Sequence, residues 1–212
     1  MDFICDPSLV LYLPLYQLDG ASFMSKDAHG HLCSVTGALW RPNGRWFDGS
    51  DDKLSLGNDL VLYPAQFTWE FWVNPDDLTL YMPLRGGVGV VKPQECHINS
   101  GTGSIYFNFR QSDSTQITIT ISDYTVSPGD FTHLAFTADG STLRGYYNAL
   151  LSSVTDTYDG TILTDGRDAL LIGSTRGSRW MKGYIGEVRL YSRALTPPEI
   201  QHNYLATKWR YR

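Results

Sequence analysis

Alternation of apolar and polar side chains is the feature that most limits what this chain can fold into. Phe67, Trp69, Phe71 and Val73 alternate with Thr68, Glu70 and Trp72. Ile105, Phe107 and Phe109 alternate with Tyr106, Asn108 and Arg110, and Ile117, Ile119 and Ile121 with Gln116, Thr118, Thr120 and Ser122. Neighbouring side chains of a strand point to opposite faces. Each segment therefore predicts a strand with one face sealed in a core and one face polar, as antiparallel sheets require. Further strands are expected at Leu9–Leu15, Arg45–Phe47, Leu54–Leu56, His133–Thr137, Leu143–Tyr147, Leu170–Ile172 and Tyr184–Tyr191. Turn clusters separate them, among them Pro42-Asn43-Gly44, Asp48-Gly49, Ser127-Pro128-Gly129-Asp130 and Ala138-Asp139-Gly140. Many short strands with regular turns predict an all-β jelly-roll sandwich of two antiparallel sheets. One short C-terminal helix is expected, with Thr196 as N-cap, Pro197 at the first position, Glu199 in the first turn, and Ile200 and Tyr204 on one face.

The 212 residues suit one large all-β domain, and no linker, repeat or low-complexity tract divides them, so residues 1–212 are expected to form a single domain. Hydrophobic residues make up 42% of the chain, enough for a sizeable core, and 13 Tyr, 9 Phe and 6 Trp suit half-buried strands or a stacking surface. The net charge of −5 comes without a basic run, which argues against nucleic acid as a partner. No stretch reaches the ~20 apolar residues of a membrane span, so membrane insertion is not expected. The N-terminus lacks the basic start of a signal peptide, which leaves the compartment open: a cytoplasmically made protein, one released with a particle, or a piece of a longer secreted one. Cys5, Cys33 and Cys96 cannot all pair within the chain and lack metal-ligand spacing. They read as free, mostly buried thiols, with a structural disulfide as the alternative.

The run Gly183-Tyr-Ile-Gly-Glu-Val-Arg-Leu-Tyr-Ser-Arg-Ala-Leu-Thr-Pro-Pro-Glu-Ile200 resembles the closing signature of laminin-G-like, concanavalin A-like jelly-roll domains. In those domains a last strand of the form G-x-I-D-E-V-R-I-Y-N-R-A-L leads into a short helix. Four more blocks resemble the same family in order: Leu9–Leu15, Phe47–Leu54, Phe67–Pro75 and Phe131–Leu143. Departures are Phe131 for a usual Trp, Asn148-Ala149 for an Asn-Gly hairpin, and Gly186 for an acidic residue that helps bind calcium in some relatives.

The resemblance implies two sites. Relatives often tie an N-terminal loop to the last strand with Ca²⁺, which takes several oxygen ligands. Asp27, the carbonyls near Gly30, and Glu187 would supply them here. The alternative is that Asp27 makes a turn and Glu187 pairs with an arginine. The second site is a glycan surface, where aromatic platforms meet planar polar groups. Tyr106, Asn108 and Arg110 share one outward strand face, and Glu70 and Trp72 share another. If those strands are neighbours, Trp72, Tyr106 and Arg110 line one concave sheet, with Tyr81, His97 and Trp180 (flanked by Arg176 and Arg179) as a rim. Alternatively, Trp72 packs beneath the C-terminal helix.

Glycoside hydrolases of this architecture carry paired carboxylates on one strand, an E-x-D-x-E pattern that the four Glu here do not form. His97 with Tyr106 and Arg110 resembles the group a polysaccharide lyase uses, and His133 reads as a packed strand histidine. The expected function is non-catalytic, lectin-like binding of a glycan or polysaccharide. The alternatives are a structural or adhesion module of a phage or virus particle or a surface protein, with other protein subunits as partners, and more remotely a polysaccharide lyase or glycoside hydrolase.

Overall fold

The computed structural model describes residues 6–78, 84–85, 94–165, 169–175 and 179–212. The first strands are β1 (Leu9–Pro14), β2 (Ser22–Met24), β3 (Leu32–Thr36), β4 (Leu39–Arg41), β5 (Gly44–Asp48) and β6 (Lys53–Leu56). Then come β7 (Phe67–Pro75), β8 (Leu84–Arg85), β9 (Gln94–Ile98), β10 (Ser104–Arg110), β11 (Gln116–Thr125) and β12 (Thr132–Ala138). The last are β13 (Thr142–Tyr147), β14 (Leu150–Thr157), β15 (Leu170–Ile172), β16 (Ser174–Thr175), β17 (Arg179–Trp180) and β18 (Lys182–Tyr191). Among the described residues one α-helix, α1 (Pro197–Thr207), runs into a 3-10 turn at Lys208–Tyr211.

One eight-stranded sheet has the order β14-β13-β12-β7-β18-β5-β4, with β1 paired onto β18. A second runs β11-β10-β9-β8-β15-β6-β3-β2, and the strand pairings described in both are antiparallel. The arrangement is sandwich-like, but it holds three sheets rather than two, because β16 and β17 form a separate two-stranded ribbon. Strands of two residues carry no readable alternation, so nothing in the sequence signals that ribbon.

The alternating segments behave as their period dictates. Ile105, Phe107 and Phe109 are fully buried, as are Phe67, Trp69 and Val73 on β7. Across the core the Phe107 ring stacks on Phe136 of β12 at 4.5 Å and tilts against Phe67 at 5.6 Å. These contacts place β7 and β12 in one layer and β10 in the facing one. One flank is closed by side chains: Asp123 of β11 accepts bonds from Ser152 Oγ and Ser153 N–H of β14, both at 2.8 Å.

The helix forms where capping chemistry favours it. The Thr196 N–H and hydroxyl both donate to Glu199 Oε2, at 2.7 and 2.8 Å, and Pro197 sits at the first helical position. The helix packs over the outer face of the first sheet. Trp72 Nε1 donates to Thr207 Oγ1 at 3.0 Å, and Asn203 Nδ2 to Glu70 Oε2 at 2.9 Å. The following turn lays Tyr211 directly over Gly186, where a Cβ would come within 2.4 Å of the ring. Gly186 thus makes room for an aromatic ring where some relatives place a carboxylate.

Candidate functional site

Because Phe107 and its neighbours fill the core, Tyr106, Asn108 and Arg110 are turned to the outer face of the second sheet. Register then sets their neighbours. Tyr106 lies opposite His97 on one side and Thr120 on the other; Asn108 lies between Glu95 and Thr118; Arg110 pairs with Gln116. The His97 and Tyr106 rings stack with centroids 4.8 Å apart and planes 16° from parallel, forming one half-buried platform. Beside it, Asn108 and Glu95 are almost fully buried. Arg110 is held by Ser114 O at 2.6 Å and Gln116 Oε1 at 3.4 Å, which fixes its guanidinium plane at the platform's edge.

Trp180, on the β16–β17 ribbon, lies within reach of Lys53 on this face. The Lys53 ammonium lies 5.6 Å from its ring centroid. Leu54 of β6 connects in register through Ile172 and Leu84 to Cys96, so Lys53 occupies the same row of the sheet as His97. Three interstrand steps of ~4.8 Å separate them by about 14 Å. The structure therefore brings together His97, Tyr106, Asn108 and Arg110, with Trp180 across the sheet. Glu95 and Lys53 join them without having been singled out from the sequence. The signal for Glu95 was its position two residues before His97, on the same strand face. Tyr81 and Arg176 lie outside the described residues.

Glu70 and Trp72 do not belong to this surface. Their strand, β7, lies in the first sheet, so their outward faces look away from Tyr106. There they sit under the helix, with Glu70 1% and Trp72 3% exposed. Around Glu70 a buried polar network has formed: Arg189 Nη1 at 3.5 Å, His133 Nε2 at 3.6 Å, and Arg189 Nη2 bound in turn to Glu187 Oε2 at 3.0 Å. Burial pushes the Glu70 carboxyl up to about 7, against the pull of Arg189 and Asn203. Burial, reinforced by Arg189, pushes His133 down to about 3, so it is a neutral, packed histidine. Two carboxylates do meet on one arginine here, but beneath a helix that closes them off from any substrate.

The two acids expected to share a calcium ion, Asp27 and Glu187, are each held by the protein's own groups, in the turn and the arginine pairing that formed the alternative reading. Asp27 Oδ1 accepts the His29 and Gly30 N–H groups at 2.9 and 3.1 Å, and its Oδ2 accepts the Tyr12 N–H at 2.9 Å. Glu187 takes Arg189 and the Tyr12 hydroxyl, the latter at 3.1 Å. Both acids thus clasp Tyr12 of β1 from its two ends, and Gly30, at φ +64°, completes the Asp27 turn. A different group could coordinate a divalent cation: carboxylate oxygens of Asp48, Asp51 and Asp52 lie within 4.8 Å of one another. Cys33 and Cys96 are free, buried thiols.

Residues 48–201 match a laminin-G family profile described as the concanavalin A-like lectin/glucanases superfamily. The chain belongs to this superfamily. No curated protein sequence matches it. Solved structures share the fold at low identity. A botulinum neurotoxin DC binding domain in complex with SialylT is 14% identical, with a TM-score of 0.71 over 94% of this chain and 52% of that one. The same domain in complex with rat synaptotagmin II gives 14% and 0.71, over 94% and 51%. Trypanosoma rangeli sialidase gives 15% and 0.70, over 96% and 33%. The chain thus spans about half the length of the toxin binding domains and a third of the sialidase.

Proposed function

We propose that the chain is a non-catalytic, lectin-like module that binds a glycan on the outer face of the second sheet. The observation that carries this reading is the stacked His97–Tyr106 platform beside Asn108, Glu95 and Arg110. A sugar ring offers an apolar C–H face and a rim of hydroxyls. The platform meets the first, and the Arg110 guanidinium at its edge meets the second, with the buried Asn108 and Glu95 supporting the platform from below. Trp180, beside a lysine whose strand lies about 14 Å across the sheet from His97, marks room for more than one sugar unit. The toxin binding domain solved with SialylT supports a carbohydrate as the ligand class. A non-catalytic role is supported by the carboxylates: Glu70 and Glu187 are sealed under the helix, Glu199 caps it, and Glu95 has no second Glu beside it on this face. We read residues 1–212 as one jelly-roll domain, since both large sheets contribute to one buried core.

The test is a glycan array probed with the wild-type chain, Tyr106→Ala and Trp180→Ala. The reading expects a defined set of glycans that is lost in Tyr106→Ala and narrowed to shorter chains in Trp180→Ala. Retention of the whole set by both variants would remove this face from the account. For calcium, the residues to test are Asp48, Asp51 and Asp52. A rise in melting temperature with added calcium, abolished by Asp51→Asn, would place the ion there.

A further inference from the structure

We infer that the chain docks on an anionic phospholipid surface through an exposed patch built by Tyr16, Trp40, Leu205, Trp209 and Arg210. Three distant segments meet there. Trp209 follows α1, and its indole N–H donates back to Ala206 O at 2.9 Å, which turns the ring back along the helix. The Arg210 guanidinium lies 4.5 Å from the Trp209 ring centroid and 3.6 Å from that of Tyr16, which follows β1. The Tyr16 carbonyl in turn accepts the Trp40 indole N–H, at 3.1 Å, from the edge strand β4. The two most exposed tryptophans among the described residues are thus joined through one arginine and one tyrosine. Trp209 is 61% exposed, Trp40 39%, and Leu205, four residues before Trp209, 50%. Single exposed apolar side chains are ordinary, but a patch assembled across the fold marks an interaction surface.

Two features choose the occupant. Both indole N–H groups are spent on the chain's own carbonyls, so the rings offer apolar surface without a donor. Glycans and peptides are recognised through directional hydrogen bonds, whereas a bilayer interface accepts a bare ring. The second feature is Arg210, which makes no ion pair among the described residues. Its Nε is buried without a partner, so its two Nη groups are the donors that a lipid phosphate would meet, in a plane fixed by the flanking rings. Arg41, exposed beside Trp40 and bonded to its carbonyl at 3.0 Å, adds a second cation. The overall charge of −5 opposes an anionic surface, so attachment rests on the apolar contact and the arginines set the headgroup preference. Among the described residues no helix is long and apolar enough to cross a membrane, so the contact is an interfacial one. None of these residues belongs to the His97–Tyr106 face, so the two sites stand or fall separately.

The experiment is flotation of the intact chain with vesicles of phosphatidylcholine alone and of phosphatidylcholine mixed equally with phosphatidylglycerol. The mixed vesicles should bind the chain at least about tenfold more tightly than phosphatidylcholine does. Trp209→Ala, at a position too exposed to disturb the fold, should keep its melting temperature and weaken that binding at least about tenfold, the loss of one ring from an apolar contact. Arg210→Gln should erase the preference for phosphatidylglycerol, and Tyr106→Ala should change nothing. Brominated acyl chains should quench the tryptophan fluorescence of wild type, and much less that of Trp209→Phe. Failure of the wild-type chain to float with the mixed vesicles, or undiminished binding by Trp209→Ala, overturns the inference. A headgroup preference that survives Arg210→Gln overturns the role of the arginine. A changed oligomeric state or a lost glycan-array signal in Trp209→Ala would give the patch to a second copy of the chain or to a sugar instead.

Discussion

Replacing Glu70 by glutamine should remove a loss of stability that the wild-type chain suffers as the pH rises towards 7. Glu70 is 1% exposed, bonded to Asn203 and facing both Arg189 and His133. Burial raises its pKa from 4.5 to about 7. The native state therefore holds this proton more tightly than the unfolded chain does. The resulting stabilisation is fully present below pH 4.5 and is lost as the pH rises through about 7. Across that interval, ~1.4 kcal/mol per pH unit comes to about 3 kcal/mol. His133 acts in the opposite sense: held down near 3, it stabilises fully above pH 6.5 and loses that contribution as the pH falls. Between pH 4.5 and 6.5 the two slopes oppose each other in the wild type. Glutamine cannot ionise and keeps an acceptor for Asn203. Relative to wild type, Glu70→Gln should gain about 3 kcal/mol between about pH 4.5 and about pH 7.5. Urea unfolding of both proteins across that range, compared at each pH, isolates the effect from every other titrating group. A difference that stays constant to within about 1 kcal/mol, or that moves in favour of wild type, refutes the reasoning.

Ala149 offers a second test. Asn148 and Ala149 form a two-residue hairpin between the paired Tyr147 and Leu150, with φ of +49° and +64°. Ala149→Gly should therefore raise stability by about 0.5–1 kcal/mol in thermal unfolding, the relief of left-handed strain outweighing the added chain entropy. On β10 the two faces should separate cleanly: Phe107→Ala should cost about 3–5 kcal/mol through a cavity, whereas Tyr106→Ala should stay within about 1 kcal/mol in the same urea assay.

The long strands were legible because burial and alternation agree on them. On β10 and β11 the apolar residues fill the core and the polar ones face outward, as the sequence reads. β9 was not legible because its polar residues are buried: Gln94, at 0% exposure, accepts the Trp69 indole N–H inside the core, and Glu95 is 1% exposed. β14 is an edge strand whose Leu150 and Leu151 point to solvent, so its pattern contradicts its fold. The position of Trp72 could not be read for a different reason. Alternation separates the two faces of one strand but does not say which strands share a sheet. That depends on contacts far apart in sequence, here Trp72 to Thr207 and Glu70 to Asn203. The same holds for Asp27 and Glu187, which both bond Tyr12, Glu187 being held by Arg189 as well.

The central claim is that the His97–Tyr106 platform binds a glycan, and calorimetric titration of an array-positive glycan into wild type and Tyr106→Ala tests it most directly. The account predicts binding to wild type that weakens at least about tenfold in the variant, the loss expected for a central aromatic contact, with the variant still folded. Equal affinity in the two proteins would contradict it.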